Sequence, residues 1–162
     1  MRPTLTGMVD LDHARKWPAY TMAALFLCYA AGKAAFAAQA RLGFPGGPPV
    51  SAAETAGYFL DAASAQWLAA ATGVLGACVA VATVTPLGRG APRGLMLLVL
   101  AGMTLAVGGG AGIMILDGFV GLGVGWQWYH GVLGVVVLGL SAETMRSYLA
   151  ATRRRHGRGA AA

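Results

Sequence analysis

Four long apolar stretches constrain the fold of this chain more than any other feature of its sequence. They lie near residues 18–40, 66–86, 94–116 and 127–149. Each is about 20 residues long, which is the length that a helix needs to cross a hydrocarbon core about 30 Å thick. We therefore predict an all-α integral membrane bundle of four transmembrane helices, in a small multi-pass membrane protein.

The composition agrees with a chain whose solvent is lipid. Hydrophobic residues make up 57% of the sequence and charged residues only 11%, whereas soluble domains contain about 25% charged residues. The spans fill a transmembrane domain over residues 17–150, between a short arm (1–16) and a basic tail (151–162). We therefore expect the lipid bilayer to be the partner of most of the surface, with no separate soluble domain.

All but one of the basic residues outside the spans lie on one side of the predicted membrane. The formal net charge is +6, and these residues cluster at the two chain ends and in the connection after the second span. The connections after the first and third spans contain Arg41 alone. This positive-inside pattern predicts cytoplasmic N and C termini and accounts for the charge without a nucleic-acid partner. Ten arginines against two lysines, beside abundant Ala and Gly, are typical of a GC-rich bacterial genome, so we expect a bacterial plasma (cell) membrane.

The connection after the first span combines a turn region with a short helix. The Gly and Pro residues of positions 43–49 exclude a helix there, whereas Ser51 and Glu54 have the spacing of a capping box. We predict a short extracytoplasmic helix that begins at Ser51, and Asp61 as the N-cap of the second span or of its first turn. A ligand-binding role for Glu54 or Asp61 is the alternative interpretation.

Small residues recur four apart in the second and third spans. Gly73 lies four residues from both Ala69 and Ala77, and the third span repeats the spacing with Gly102, Ala106 and Gly110. Small side chains let helices approach closely in lipid, so these stripes predict a bundle, packed within the chain or against a second copy in a homo-oligomer. The prolines of the short loop between the two spans predict an antiparallel hairpin.

The third span contains a glycine triplet, Gly108-Gly109-Gly110. Each Gly costs a helix about 1 kcal/mol relative to Ala, so we expect the helix to break there, as helices do at binding sites in transporters. The alternative is that the triplet allows close helix packing. Asp117 follows at the outer boundary, where it either faces a cavity or is simply exposed to water. In the fourth span we expect a local ion pair between Glu143 and Arg146, with a proton-relay role for Glu143 as the alternative.

Ionisable and aromatic side chains near the outer ends of the spans predict an outward-facing polar pocket, formed by Lys33, Tyr29, Asp117, Trp128 and His130. Lys33 would supply positive charge, Asp117 its counter-ion and His130 a titratable hydrogen-bonding group. Tyr29 lies four residues before Lys33, on the same helix face. The alternatives are that Lys33 snorkels to the lipid head groups, and that His130 and Trp128 belong to an aromatic belt at the membrane surface. We expect Tyr148 in the matching belt on the inner side.

No motif identifies a bound metal or cofactor. Cys28 and Cys78 lack the close spacing of a metal or redox pair, and we expect both thiols to behave as small buried apolar groups. One histidine near the membrane interior, His130, is too few for a bis-histidine haem. We therefore expect no metal site, and the candidate ligand is an amphipathic molecule such as a quinone or a lipid head group.

Two stretches carry a likeness to a known family. LFLCYAAGKAAFA closes the first span, and AQWLAAATGVLGACVAVATVTPLGRGAPRGLMLLVLAGMTLAV forms the following hairpin. Over residues 18–107 the chain resembles the DoxX-like family of small four-helix membrane proteins. The resemblance implies a four-helix bundle that in some members is an accessory subunit of a membrane oxidoreductase system. The acidic residue that the family often has early in the second span is absent, and Thr72 stands about where it would be expected.

Three functional interpretations follow. The first is a binding or accessory subunit with a membrane redox partner, rather than a stand-alone catalyst. The second is a membrane-embedded enzyme acting on a lipid, isoprenoid or quinone, with His130 or Asp117 as the catalytic acid–base residue. The third is a small homodimeric transporter or channel, in which Glu143 and the glycine-broken third span face a shared path.

Overall fold

A computed structural model describes residues 16–159, with all their side chains except those of residues 87, 89 and 153–159. These residues form helices and no strand. The helices are α1 (Trp17–Ala38), α2 (Ala52–Ala56), α3 (Ala62–Ala82), α4 (Pro86–Gly90), α5 (Arg93–Val120) and α6 (Trp128–Gly159). The predicted arm, apart from residue 16, and the last three residues of the predicted tail lie outside the described residues.

Four of the helices are long and apolar enough to cross a membrane. They are α1, α3, α5 and the Trp128–Thr152 part of α6. The prediction of an all-α chain with four long apolar helices is therefore confirmed. Two connections, residues 39–61 and 121–127, lie at one end of the bundle, which we call the long-loop end; residues 83–92 lie at the opposite, short-loop end.

The side chains are sorted by size between the inside and the outside of the bundle. The buried apolar residues are mostly alanine, whereas many leucines, valines and aromatic residues are exposed. Helices in lipid gain nothing from hiding leucine, because lipid tails are equally apolar, so close contact between small residues holds them together. This distribution is the one expected of a bundle whose surroundings are hydrocarbon.

The long helices follow the order α3, α1, α6, α5 around the bundle, and the side between α3 and α5 is open. α1 contacts both α3 and α6, and α6 contacts α5, but α3 and α5 share few contacts. A buried cluster near the short-loop end joins them, in which Val79 and Ala82 of α3 pack against Met96, Leu100 and Tyr148. The predicted hairpin is therefore joined near its connection, and the rest of this side is a groove.

The glycine triplet does not break the third long helix, contrary to the prediction. α5 continues through it from Arg93 to Val120. Within hydrocarbon an unwound turn would leave backbone groups without partners, at several kcal/mol each, which exceeds the roughly 1 kcal/mol lost per Gly. In this environment the backbone hydrogen bonds decide the outcome.

The local predictions around the short helix are confirmed. Ser51 and Glu54 form the capping box at the start of α2. The Asp61 carboxylate accepts a hydrogen bond from the Ser64 amide, so that α3 begins at Ala62, four residues before the predicted start. The carboxylate satisfies an amide that has no partner in the first turn of the helix.

Two sequence-based expectations about burial are wrong, and one predicted contact is confirmed. Cys28 and Cys78 are exposed on the outside of the bundle rather than buried, since alanine and glycine occupy the inner positions. Tyr148, expected in the aromatic belt, is only 2% exposed because it packs in the cluster near the short-loop end. Glu143 forms the predicted local ion pair with Arg146, at 3.1 Å.

A candidate ligand site at the long-loop end

Residues 42–48, which we call the cover segment, are held by donors from three different helices. Lys33 Nζ of α1 donates to the Gly43 carbonyl oxygen at 2.6 Å, and Gln66 Nε2 of α3 donates to the same oxygen at 3.0 Å. His130 Nε2 of α6 lies 2.7 Å from the Gly46 carbonyl oxygen. The cover segment is thus fixed to the side of the bundle made by α1, α3 and α6.

The hydrogen bonds of His130 define its tautomer. The Gly46 carbonyl can only accept, so Nε2 carries the proton, while Nδ1 accepts from the Gln127 amide at 3.1 Å. The residue is 6% exposed. Both ring nitrogens are therefore engaged with the backbone, and neither is free to exchange a proton with a substrate in this arrangement.

A row of aromatic rings packs along the cover segment. Phe44 lies between Tyr29 and Trp126, with ring centroids 5.5 Å and 5.1 Å away, and Trp126 contacts His130 edge-on at 5.0 Å. The sequence interpretation named Trp128 for this site. Trp128 is instead 66% exposed and packs against Tyr129, because α6 begins at Trp128 and Trp126 belongs to the preceding turn.

Asp117 stabilises that turn and does not act as the counter-ion of Lys33. Its carboxylate accepts hydrogen bonds from the amides of Val124 at 3.1 Å and Trp126 at 2.6 Å. The residue is 3% exposed, so simple exposure to water is also wrong. The sequence signal for this role of Asp117 is the glycine at 121, 123 and 125. All three glycines have positive φ, and this conformation lets successive amides turn toward one carboxylate.

Lys33 has no carboxylate partner among residues 16–159. Its partly buried ammonium group lies 5.6 Å from the Tyr29 ring centroid and 5.4 Å from that of Phe44, distances at which a cation is attracted to an aromatic face. The other carboxylates of the long-loop end are engaged locally. The Ser51 hydroxyl and amide lower the pKa of Glu54, and the Ser64 amide lowers the pKa of Asp61.

Gln66 is a residue of this site that the sequence interpretation missed. It is 3% exposed, and its Oε1 atom has no hydrogen-bond partner in the described part of the chain. A buried acceptor without a partner costs roughly 1–3 kcal/mol. The signal was available, because a polar side chain inside a span faces the bundle interior more often than lipid.

The open side between α3 and α5 contains an apolar groove of about 610 Å³. Binding sites for small molecules commonly measure about 300–1,000 Å³. Its walls include Phe26 and Tyr29 of α1, Gly73 and Gly76 of α3, and Gly102 and Gly110 of α5. Phe44 and Pro45 of the cover segment also line it, and on the other side of Phe44 lies a smaller cavity of about 340 Å³ that includes Arg41.

In the part of the chain that the structure describes, no group of three or more His, Cys, Asp or Glu side chains is close enough together to hold a metal ion. The structure does bring Lys33, Tyr29 and His130 to the cover segment. Asp117 is connected to the segment through Trp126, whose amide donates to the Asp117 carboxylate and whose ring packs against Phe44. Most of their polar atoms are used on backbone groups. In contrast, the charge of Lys33 is not paired with an opposite charge, and the Oε1 atom of Gln66 has no hydrogen-bond partner among the described residues.

Comparison of the chain with protein-family models, curated proteins and solved structures finds no match. The resemblance to the DoxX-like family therefore stays a prediction. Thr72, which the predicted resemblance would place where that family often has an acidic residue, lines the groove, and its hydroxyl donates to the Ala69 carbonyl oxygen at 2.8 Å.

Proposed function

We propose that this small membrane protein binds an amphipathic, membrane-soluble molecule whose hydrocarbon chain lies in the groove between α3 and α5. It would act as a binding or accessory subunit in a bacterial plasma membrane. The groove is the observation that supports this function most directly. It opens sideways, between two helices that cross the membrane, so a molecule can enter from the bilayer.

The distribution of basic residues supports an orientation with both termini in the cytoplasm. The cover segment and the Lys33 end of the groove then lie on the extracytoplasmic side. The polar head of the bound molecule would occupy this end, close to the head groups of the outer leaflet. A tag on either terminus that proves accessible from outside intact cells would contradict this orientation.

The site geometry supports binding rather than chemistry or transport. A catalytic acid or base must reach the reacting atoms within about 3 Å, directly or through one water, but His130 and Asp117 are both bonded to local backbone groups. Glu143 is paired with Arg146, and α5 is unbroken. The two features that a transport path was expected to use therefore have other roles.

Photochemical cross-linking tests the groove directly. The protein is reconstituted in liposomes with a phosphatidylcholine that carries a diazirine on one acyl chain, and cross-linked peptides are mapped by mass spectrometry. We expect cross-links on groove-lining segments of α1 and α5 in excess of those on other lipid-facing segments. Uniform labelling of all lipid-facing surfaces would contradict a binding groove.

A pair of double variants provides the control. Gly102 and Gly110 line the groove and have open space where a side chain would begin, so Gly102→Leu with Gly110→Leu should fill it and abolish the excess cross-linking. Gly109 and Gly112 have the same open space but do not line the groove. Gly109→Leu with Gly112→Leu should therefore leave the cross-linking pattern unchanged.

The accessory role is tested by extraction in mild detergent. Proteins and lipids that co-purify are identified by mass spectrometry, with the groove-filling variant as the comparison. We expect a bound lipid or quinone that is lost from the groove-filling variant but retained by its control. A redox protein that co-purifies with both would identify the partner of the subunit.

A further inference from the structure

Lys33 continues the face of α1 that lines the groove. Met22, Phe26 and Tyr29 line it at helical spacings of three and four residues, and Lys33 follows Tyr29 by four. Residues at this spacing lie one above the other on a helix. The ammonium group is therefore placed at the long-loop end of the groove, next to two rings, those of Tyr29 and Phe44, that form its wall.

The cations at this end of the molecule are not paired with its carboxylates. Each of the three carboxylates, of Glu54, Asp61 and Asp117, accepts hydrogen bonds from groups of its own local turn. The two cations, Lys33 and Arg41, form no ion pair with any described residue. A partly buried cation is stabilised most by an opposite charge, and the described residues do not supply one.

Anchoring the cover segment does not by itself require a charge at position 33. The Gly43 carbonyl oxygen needs a hydrogen-bond donor, and the neutral amide of Gln66 already donates to it at 3.0 Å. A second, charged donor on the same oxygen costs desolvation without adding a new anchor point. The positive charge of Lys33 is therefore available to a ligand.

We propose that Lys33 recognises an anionic head group, so that the molecule bound in the groove is an anionic phospholipid. The inference rests on the proposed function of the groove and specifies its ligand. The acyl chain lies between α3 and α5, and the phosphate lies against the Lys33 ammonium group at the long-loop end.

A competition experiment measures this preference. The diazirine-bearing phosphatidylcholine is the probe, and the competitors are unlabelled phosphatidylglycerol and phosphatidylcholine with the same acyl chains. We expect phosphatidylglycerol to halve the groove cross-linking at a concentration roughly fivefold lower than phosphatidylcholine, which is about the factor that one basic side chain contributes near anionic lipid. Equal concentrations would overturn the inference, and so would stronger competition by a neutral ubiquinone.

Three variants assign the preference to the charge. Lys33→Gln keeps a donor for Gly43 but removes the charge, so the fivefold ratio should fall to about one while cross-linking by the zwitterionic probe remains. Lys33→Arg should retain the ratio. Lys16→Gln, at the other lysine and the opposite end of α1, should retain it as well.

The outcomes separate the two proposals. If no lipid labels the groove in excess, or the groove-filling variant has no effect, the proposed function fails. If the groove is labelled but head groups compete equally, or Lys33→Gln keeps the preference, only the anionic ligand fails. Retained cross-linking by the probe in Lys33→Gln shows that this variant is folded.

Discussion

The glycines of α3 and those of α5 belong to stripes of small residues with the same four-residue spacing but have different surroundings. A Cβ atom added to Gly73 would lie 3.0 Å from side-chain atoms of Tyr29 and Ala30, and one added to Gly76 would lie 2.9 Å from the Phe26 ring. Around Gly102 and Gly110 of α5 there is no atom within 4 Å of such a Cβ. One set of glycines lets two helices touch, and the other leaves a groove.

The difference shows what small-residue spacing predicts and what it does not. The spacing indicates where a backbone can be approached closely in lipid. It does not identify what approaches. On α3 the neighbour is α1, whose Phe26 and Tyr29 fill the space over the glycines. On α5, Gly102 and Gly110 face the open side, whereas Gly118 and two glycines of α6 lie at the contact between α5 and α6. There Gly131 and Gly134 receive Phe119 and Ile115 of α5.

The largest expected effect tests the α3 side. Gly73→Leu would place a side chain against Tyr29, Ala30 and the Phe26 carbonyl, and overpacking of this kind costs about 1–3 kcal/mol. We expect a lower midpoint in reversible unfolding in detergent. The matched change Gly102→Leu, in open space, should leave the midpoint nearly unchanged. Equal losses in the two variants would contradict the contrast between the helices.

A smaller effect is expected at the contact between α5 and α6. A Cβ added to Gly134 would lie 2.9 Å from the Ala111 carbonyl oxygen, which cannot move without moving α5. We expect Gly134→Ala to destabilise the protein by about 1 kcal/mol, at the lower limit for overpacking. Gly139→Ala on the same helix, where no atom lies within 4 Å, is the control. A midpoint for Gly134→Ala as high as that of the control would show that this glycine is not needed for close contact.

The smallest effect has the opposite sign and tests the open face of α5. Ala is favoured over Gly within a helix by roughly 0.5–1 kcal/mol, and a methyl group at Gly109 meets nothing in the chain. We expect Gly109→Ala to raise the unfolding midpoint slightly, whereas Gly76→Ala should lower it. A loss of stability for Gly109→Ala would show that another molecule, such as a second copy of the chain, covers this face.

The sequence predicts most of the fold because length and composition determine it. Four apolar stretches of membrane-spanning length and the caps at Ser51 and Asp61 are local properties, and the structure agrees with them. The continuity of α5 through Gly108–Gly110 was not predicted, because helix propensities come from water, where unwound amides find partners. The opening between α3 and α5 depends on which pairs of the four helices contact each other, and this cannot be read from any single stretch of the sequence.

The candidate site was located from sequence, but its contacts were not. Lys33, Asp117 and His130 do lie at one end of the bundle. Their partners, however, are backbone carbonyls and amides of the connections, and backbone groups are the same at every residue. The sequence did not point to Gln66, because the nearby Asp61 has a capping role that is easier to recognise. It pointed to Trp128 instead of Trp126, because the start of α6 is not evident from the sequence.

The anchoring of the cover segment has a consequence for biogenesis. Its contact with His130 joins residues 84 positions apart in the chain. Membrane helices enter the bilayer in the order of synthesis, so Lys33 and Gln66 are in place well before His130 arrives. In the proposed orientation, we therefore expect residues 42–48 to stay open to proteases on the extracytoplasmic side during synthesis and to become protected only when the last helix has been inserted. Closure of this loop would then report that the whole chain has been assembled.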